Sequence, residues 1–194
     1  AFSLSLKIRM KISLDWLKDY IKLQQTPEEI EHLLTSSGLE VESLEETDSI
    51  KGGLRGLVVG EVLEKEKHPD ADRLSVTKVN VGKAMPLQIV CGAANVAKGQ
   101  KVLVALNGAR LYPTFGEPFD IKNSKIRGQA SEGMICSEDE IGLGNAHDGI
   151  MVLDANAVPG TPAAEWFKIK QDHIFEIGLT PNRIDAASHG GVAR

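Results

Sequence analysis

"LVVGEVLEKEKHPDADRLSVTKVNVG", Leu57–Gly82, decides how the chain is read. Its first part is apolar and β-branched, with charge collecting toward Lys67, which describes a strand that leaves a core and enters solvent. His68, Asp70 and Asp72 then crowd five positions around Pro69. Such a group could hold a divalent cation, but a calcium loop also needs a third oxygen ligand, a central glycine and a closing glutamate, and none is present. Catalysis would need partner groups that the sequence does not identify. Proline and aspartate otherwise set turns, with aspartate oxygens accepting backbone N–H groups. A second strand, "LSVTKVNVG", follows. Its apolar residues Leu74 and Val76, then Val79 and Val81, change faces near Thr77–Lys78, which predicts a bulge in a strand coiling around a small barrel.

Working outward, "LQIVCG" and "KVLVALNG" are two more short strands, each closed by glycine. "FDIKNSKIRG" reads as a polar hairpin, "EDEIGLG" as one helical turn with Ser137 as its cap, and "DGIMVL" as a last strand. Five or six short strands with glycine turns and one small helix fit a closed barrel of the OB type.

The flanks are different. Ser13 caps a helix in "LDWLKDYIKL", with Leu14, Leu17 and Ile21 on one face and Trp16 and Tyr20 beside it. Thr26, Pro27 and Glu29 open a second helix with a capping box, and Gly38 ends it. "LEVESLEE" then alternates like a strand. These elements are too few to bury a core of their own. After Leu153, "VPGTPAAEWF" is a turn into a short helix, and "HIFEIGLTPNRIDAASHGGVAR" is a strand, a turn and a capped helix start. Met10 is a candidate start residue, with residues 1–9 an extension.

Across 194 residues the formal charge is −5, yet it is unevenly spread. Residues 65–127 carry 11 basic against 5 acidic side chains, whereas both flanks are net acidic. A basic middle suits an anionic partner as well as a solvated face. Lys65, Lys67, Arg73, Lys78, Asn95, Lys98, Lys125 and Arg127 are the loop-borne candidates for sugar–phosphate contact. Gly128 and Gly133 allow close backbone approach. "CGAANVAKGQKV" lacks both the glycine order and the terminal lysine–serine of nucleotide loops. No serine has an identifiable base, so no hydrolase nucleophile is expected. Cys91 and Cys136 have no metal-ligand spacing, which points to two buried thiols in a reducing cytoplasm. No run approaches the roughly 18–20 apolar residues of a membrane span.

"VVGEVLEKEKHPDADRLSVTKVNVG", "LQIVCGAANVAKGQKVLVALNGARL" and "IRGQASEGMICSEDEIGLG" together resemble the tRNA-binding OB domain shared by several synthetases and tRNA-binding cofactors. "MKISLDWLKDYI", "LTSSGLEVESLE" and "FEIGLTPNRIDAASHGGVAR" are similar to the N-terminal part of bacterial phenylalanyl-tRNA synthetase (phenylalanine–tRNA ligase) β subunits. The resemblance implies an α+β chain, with an OB-fold barrel at 48–157 inserted into a small discontinuous α/β domain at 10–47 and 158–194. It also implies a parent enzyme that attaches phenylalanine to its tRNA with ATP and magnesium, as an α2β2 heterotetramer with an α subunit. The implied partner is therefore phenylalanine-specific tRNA, with no DNA or membrane. No catalytic residue, metal site or cofactor is expected within these 194 residues. The alternative from the same OB family is a stand-alone tRNA-binding cofactor or chaperone.

Overall fold

The computed structural model describes residues 8–194; residues 1–7 of the expected N-terminal extension lie outside the described residues. The chain opens with β1 (Ile8–Ser13), α1 (Leu14–Lys18), α2 (Pro27–Ser36) and β2 (Glu40–Asp48). The barrel strands follow: β3 (Leu57–Lys67), β4 (Ser75–Asn80), β5 (Leu87–Cys91) and β6 (Lys101–Leu106). Shorter strands come next: β7 (Arg110–Leu111), β8 (Phe119–Asp120), β9 (Ser124–Ile126), β10 (Gln129–Ser131), β11 (Gly133–Ile135) and β12 (Val152–Leu153). The chain closes with α3 (Ala163–Trp166), β13 (Gln171–Leu179), a 3-10 turn at Ile184–Ala186 and α4 (His189–Ala193). None of the described helices is long and apolar enough to cross a membrane.

Two compact units result. One combines the residues up to Ser49 with Lys170–Arg194, and the other is Ile50–Ile169. The first is an antiparallel sheet in the order β1-β13-β2. The central strand β13 buries Phe175, Ile177 and Leu179 against Ile12, Leu14, Leu17, Ile30 and Leu34. This is why neither flank can fold by itself: the strand that completes the core arrives more than 120 residues later. Ile8 and Arg9, read from sequence as part of an extension, are strand residues paired with Leu179 and Gly178.

Local signals act here as expected. Thr26 Oγ1 accepts from the Glu29 N–H and Glu29 Oε2 accepts from the Thr26 N–H, at 3.3 and 2.9 Å. Gly38, at φ +87°, lets the Leu39 N–H return to the Leu34 carbonyl and end α2. Helix α1 is shorter than "LDWLKDYIKL" suggests. Ser13 Oγ does cap it, but it stops at Lys18 and leaves Ile21 and Tyr20 exposed. Trp16 stacks instead on His189 of α4, with ring centroids 4.3 Å apart.

The second unit is the barrel. Its strands run β11-β6-β3-β4-β5, and β12 also pairs with β6. The edges approach closure where the Glu132 N–H donates to the Gln88 carbonyl and the Val90 N–H to Ser131 Oγ. In OB terms β3, β4, β5, β6 and β11 are strands one to five. The bulge lies in β3 rather than in β4: the register with β4 shifts between Val62 and Glu64. Strand β4 does not change faces, because Thr77 is fully buried beside Val79 and Val81 and its hydroxyl donates to the Ile89 carbonyl at 2.8 Å. A satisfied threonine thus occupies a position that the apolar pattern reads as outward.

Two other expectations change. Residues 137–143 form turns and not a helix. The segment 158–169, assigned from sequence to the flanking domain, falls in the barrel unit. The Val59 N–H donates to the Thr161 carbonyl, the Gly160 N–H returns to the Val59 carbonyl, and Ala163 joins the core around Leu57. Backbone pairing with β3 outweighs the helical text that follows.

Two outcomes follow from this packing. A Cβ on Gly60 would stand 2.7 Å from Val104 Cγ2 and 2.8 Å from Val79 Cγ1. Gly60→Val should therefore cost about 1–3 kcal/mol, read as a lower urea midpoint against Gly60→Ala and the parent chain. In the first unit His189 Nε2 accepts the Ser13 N–H at 2.9 Å. Burial lowers the His189 pKa and outweighs the opposing pull of Asp172. The folded state then binds fewer protons than the unfolded one, whose histidine titrates near about 6.5. Stability present above that pH is lost as pH falls through the folded value. Thermal unfolding between pH 7.5 and 5 should show the loss, and His189→Gln, which keeps an acceptor but does not titrate, should flatten it.

Candidate nucleic-acid interface

OB barrels present ligands to the face of their second and third strands and to the loops joining strands one to two and four to five. Here those loops are the turn 68–74 and the long connection 107–132 that carries β7 to β10.

His68 joins them. Its side chain is 2% exposed, in a turn otherwise open to solvent. Nδ1 accepts the Asp70 N–H at 3.1 Å, so the ring proton resides on Nε2, which donates to the Ile126 carbonyl of β9 at 3.1 Å. Arg127, the residue after β9, reaches back with a guanidinium N–H to the Asp70 carbonyl at 3.3 Å. One imidazole therefore shapes the first loop and ties it to the second. Asp72 pairs with Lys67 at 2.8 Å. No group of three or more potential metal ligands converges among the described residues.

The β9–β10 hairpin is built for this position. Arg127 and Gly128 both take positive φ, +45° and +89°, which is the twist a two-residue hairpin turn requires. The hairpin holds Lys125 and Arg127 at its exposed end.

Two adjoining hollows flank the loop Gly92–Ala94, which lines both. The first, about 620 Å³, is bounded by Lys65, Lys67, Arg73 and Ser75. The second, about 690 Å³, lies between Val90–Cys91, Ile126, Ser131, Met134 and the 147–150 loop, with Lys122 at its edge. Three of the eight nominated residues thus share one hollow, and Lys125 and Arg127 sit on the hairpin tied to the same turn. The rest are placed differently. Asn95 spends its amide on Ile150, donating to that carbonyl and accepting its N–H at 2.9 and 3.0 Å. Lys78 is paired with Glu64 at 2.7 Å, and this hydrogen bond lowers the Glu64 pKa and raises that of Lys78. Lys98 lies in an exposed turn near Glu64. Within the first hollow, Lys65 also donates to the Val96 carbonyl at 2.7 Å.

Lys122 is not among the eight nominated residues, yet it lines the second hollow. The side chains of Arg73, Lys122 and Lys125 have no hydrogen-bond or ion-pair partner among the described residues. Among the serines of the second hollow, Ser131 Oγ donates to the Gly133 carbonyl at 3.0 Å. Ser137 Oγ donates to Asp139 and not to a base, and His147 Nδ1 lies 2.7 Å from the other Asp139 oxygen. Burial would raise the Asp139 carboxyl, but these two hydrogen bonds outweigh it and hold the group below its usual range. Cys91 and Cys136 are both buried, and burial pushes both thiols up, which makes them inert.

His68→Ala should cost roughly 1–3 kcal/mol, because it removes the acceptor of the Asp70 N–H and the buried donor to the Ile126 carbonyl. His68→Asn keeps an acceptor for Asp70 but cannot reach Ile126, so it should lose less. Chemical denaturation of the two variants separates the turn from the link between loops.

Comparison with known proteins agrees with this geometry. Residues 57–162 match the model of a family described as a putative tRNA binding domain. The phenylalanine–tRNA ligase β subunit of Bacteroides fragilis is 56% identical over 185 residues, covering 95% of this chain and 22% of that protein. That of Salinibacter ruber is 44% identical over 195 residues, with 95% and 23% covered. The chain therefore spans less than a quarter of the length of these relatives. Among solved structures, the C-terminal domain of Plasmodium vivax p43 is 28% identical, with a TM-score of 0.39 over 54% of this chain and 56% of that one. With more than half of its residues matched to that model, and with an OB barrel formed by those residues, the chain belongs to the tRNA-binding domain family.

Proposed function

We propose that this chain is the tRNA-binding, non-catalytic N-terminal portion of a phenylalanine–tRNA ligase β subunit. The observation that carries the reading is the joined pair of loops. His68 and Arg127 bring the 68–74 turn and the β9–β10 hairpin together beside a hollow lined by Lys65, Lys67 and Arg73. Cations held on two rigid, abutting loops suit the phosphates of a folded RNA, whose shape is read more readily than its bases. The relatives extend the likeness beyond the barrel to both flanks, which favours the synthetase reading over a stand-alone cofactor. In that reading the whole enzyme attaches phenylalanine to its tRNA with ATP and magnesium, bound outside these residues. It works in the cytoplasm with an α subunit as an α2β2 heterotetramer.

Binding dominated by phosphate contacts weakens steeply with salt. The slope of log K against log salt is about −0.9 per phosphate neutralised on B-form DNA and about −0.7 on single strands. Gel shift of the whole chain with phenylalanine tRNA at low and moderate salt should show that slope. Arg73→Ala and Lys67→Ala should each weaken binding and reduce the slope by roughly one. Lys78→Ala, at a β4 residue outside the hollow lined by Lys65, Lys67 and Arg73, should change it little. A salt-independent affinity would remove the phosphate-dominated reading.

A further inference from the structure

The connection between the fourth and fifth barrel strands carries more than lysines and arginines. Between β7 and β8 it forms a seven-residue tip, residues 112–118, "YPTFGEP". Phe115 at the centre of this tip is 72% exposed, and Phe119 at the start of β8 is 38% exposed. Exposed phenylalanine is common on floppy loops, but this tip is held at several points. The Thr114 N–H donates to the Asp139 carbonyl and its hydroxyl to the Gly144 carbonyl, at 2.8 and 2.6 Å. The Tyr112 ring lies so close over Gly52 that a Cβ there would collide with it, and Lys51 Nζ sits 5.5 Å from the ring centroid. Arg110 and Asp120 clamp the base of the hairpin at 3.2 Å. The Gly108 and Ile121 N–H groups complete the ladder behind it.

We propose that Phe115, supported by Phe119, is a stacking site for an unpaired nucleobase. This rests on the tRNA-binding reading above and adds which part of the RNA is met. The tip belongs to the loop that OB barrels use for oligonucleotides, and it lies within the segment matched to the tRNA-binding family. It is continuous with the phosphate-facing surface. Asp120, Ile121 and Lys122, which directly follow Phe119, line the 690 Å³ hollow, and unpaired Lys125 comes three residues later. A base needs an aromatic face and a nearby cation for its phosphate, and both are present on one short stretch. The barrel strands themselves offer few aromatics, so this tip supplies what they lack. Because its backbone is already ordered, stacking would cost little conformational entropy.

The test uses the whole chain, an unpaired oligoribonucleotide and a blunt RNA duplex of equal length. Phe115→Ala should lose roughly tenfold in affinity for the unpaired RNA, with its salt slope and its duplex affinity unchanged. Phe115→Trp should keep the affinity and show emission quenched by the unpaired RNA only. Equal losses on both RNAs, or none on either, overturn the stacking site while leaving salt-dependent tRNA binding in place. If the parent chain binds no RNA at any salt, the functional reading falls and the stacking site with it. If Phe115→Ala leaves RNA binding intact but abolishes a subunit contact, the tip is a protein-docking element and the proposal is overturned.

Discussion

Strand β3 has to serve two partners, and the barrel depends on how it turns from one to the other. Leu57–Glu61 pair with β6, and Glu61–Lys67 pair with β4. A regular strand cannot bend sharply enough to do both within eleven residues. Gly60 removes the side chain that would collide with Val79 and Val104, and the register shift next to Leu63 adds the local twist. The same strand also takes the backbone of residues 159–162 along its first half. Its last residues, Glu64–Lys67, leave the core and deliver the chain into the His68 turn with their side chains in solvent.

Closing the barrel in this way determines which loops meet. Once β10 lies beside β5, the β9–β10 hairpin is close enough for the Ile126 carbonyl to accept from His68. The link is neutral and buried, so it does not depend on ionic strength as exposed ion pairs do. The charges around it behave differently. Several lysines are already spoken for by Glu61, Glu64 and Asp72. The Glu64 and Asp72 pairs are largely exposed and contribute little to stability, so an anionic partner can compete for their lysines at small cost. An acidic chain can therefore present a basic face, because its surplus of carboxylates lies mostly outside residues 65–127.

The flanking unit illustrates a different dependence. Asp172, near the start of β13, accepts from the Ser13 hydroxyl and from the Asp15 N–H at 3.0 Å. Burial would raise its carboxyl, but hydrogen bonds from Ser13, Asp15 and His173 outweigh it and hold it below the ordinary value. The first helix is thus capped from both ends of the chain, by its own Ser13 and by a residue some 160 positions later. Its brevity follows. Packing on β13 and the stack of Trp16 on His189 stabilise a single turn, and no buried surface remains for Ile21.

By itself the sequence determined whatever rests on neighbours along the chain. The Thr26–Glu29 capping box, the glycine stop at Gly38, the short apolar strands and the uneven charge were legible because each involves residues a few positions apart. The resemblance of the barrel motifs to tRNA-binding domains was legible for the same reason. Tertiary structure decided what depends on distant partners. Thr77 became a core residue only because the Ile89 carbonyl lies opposite it, and residues 158–169 joined the barrel because β3 offered a free backbone edge. Asn95 turned from a nominated contact into a brace for Ile150. His68, ambiguous as a ligand, a base or a turn former, became a link between two loops. A buried polar group takes its role from the partner that satisfies it, and that partner, the Ile126 carbonyl, lies 58 residues away.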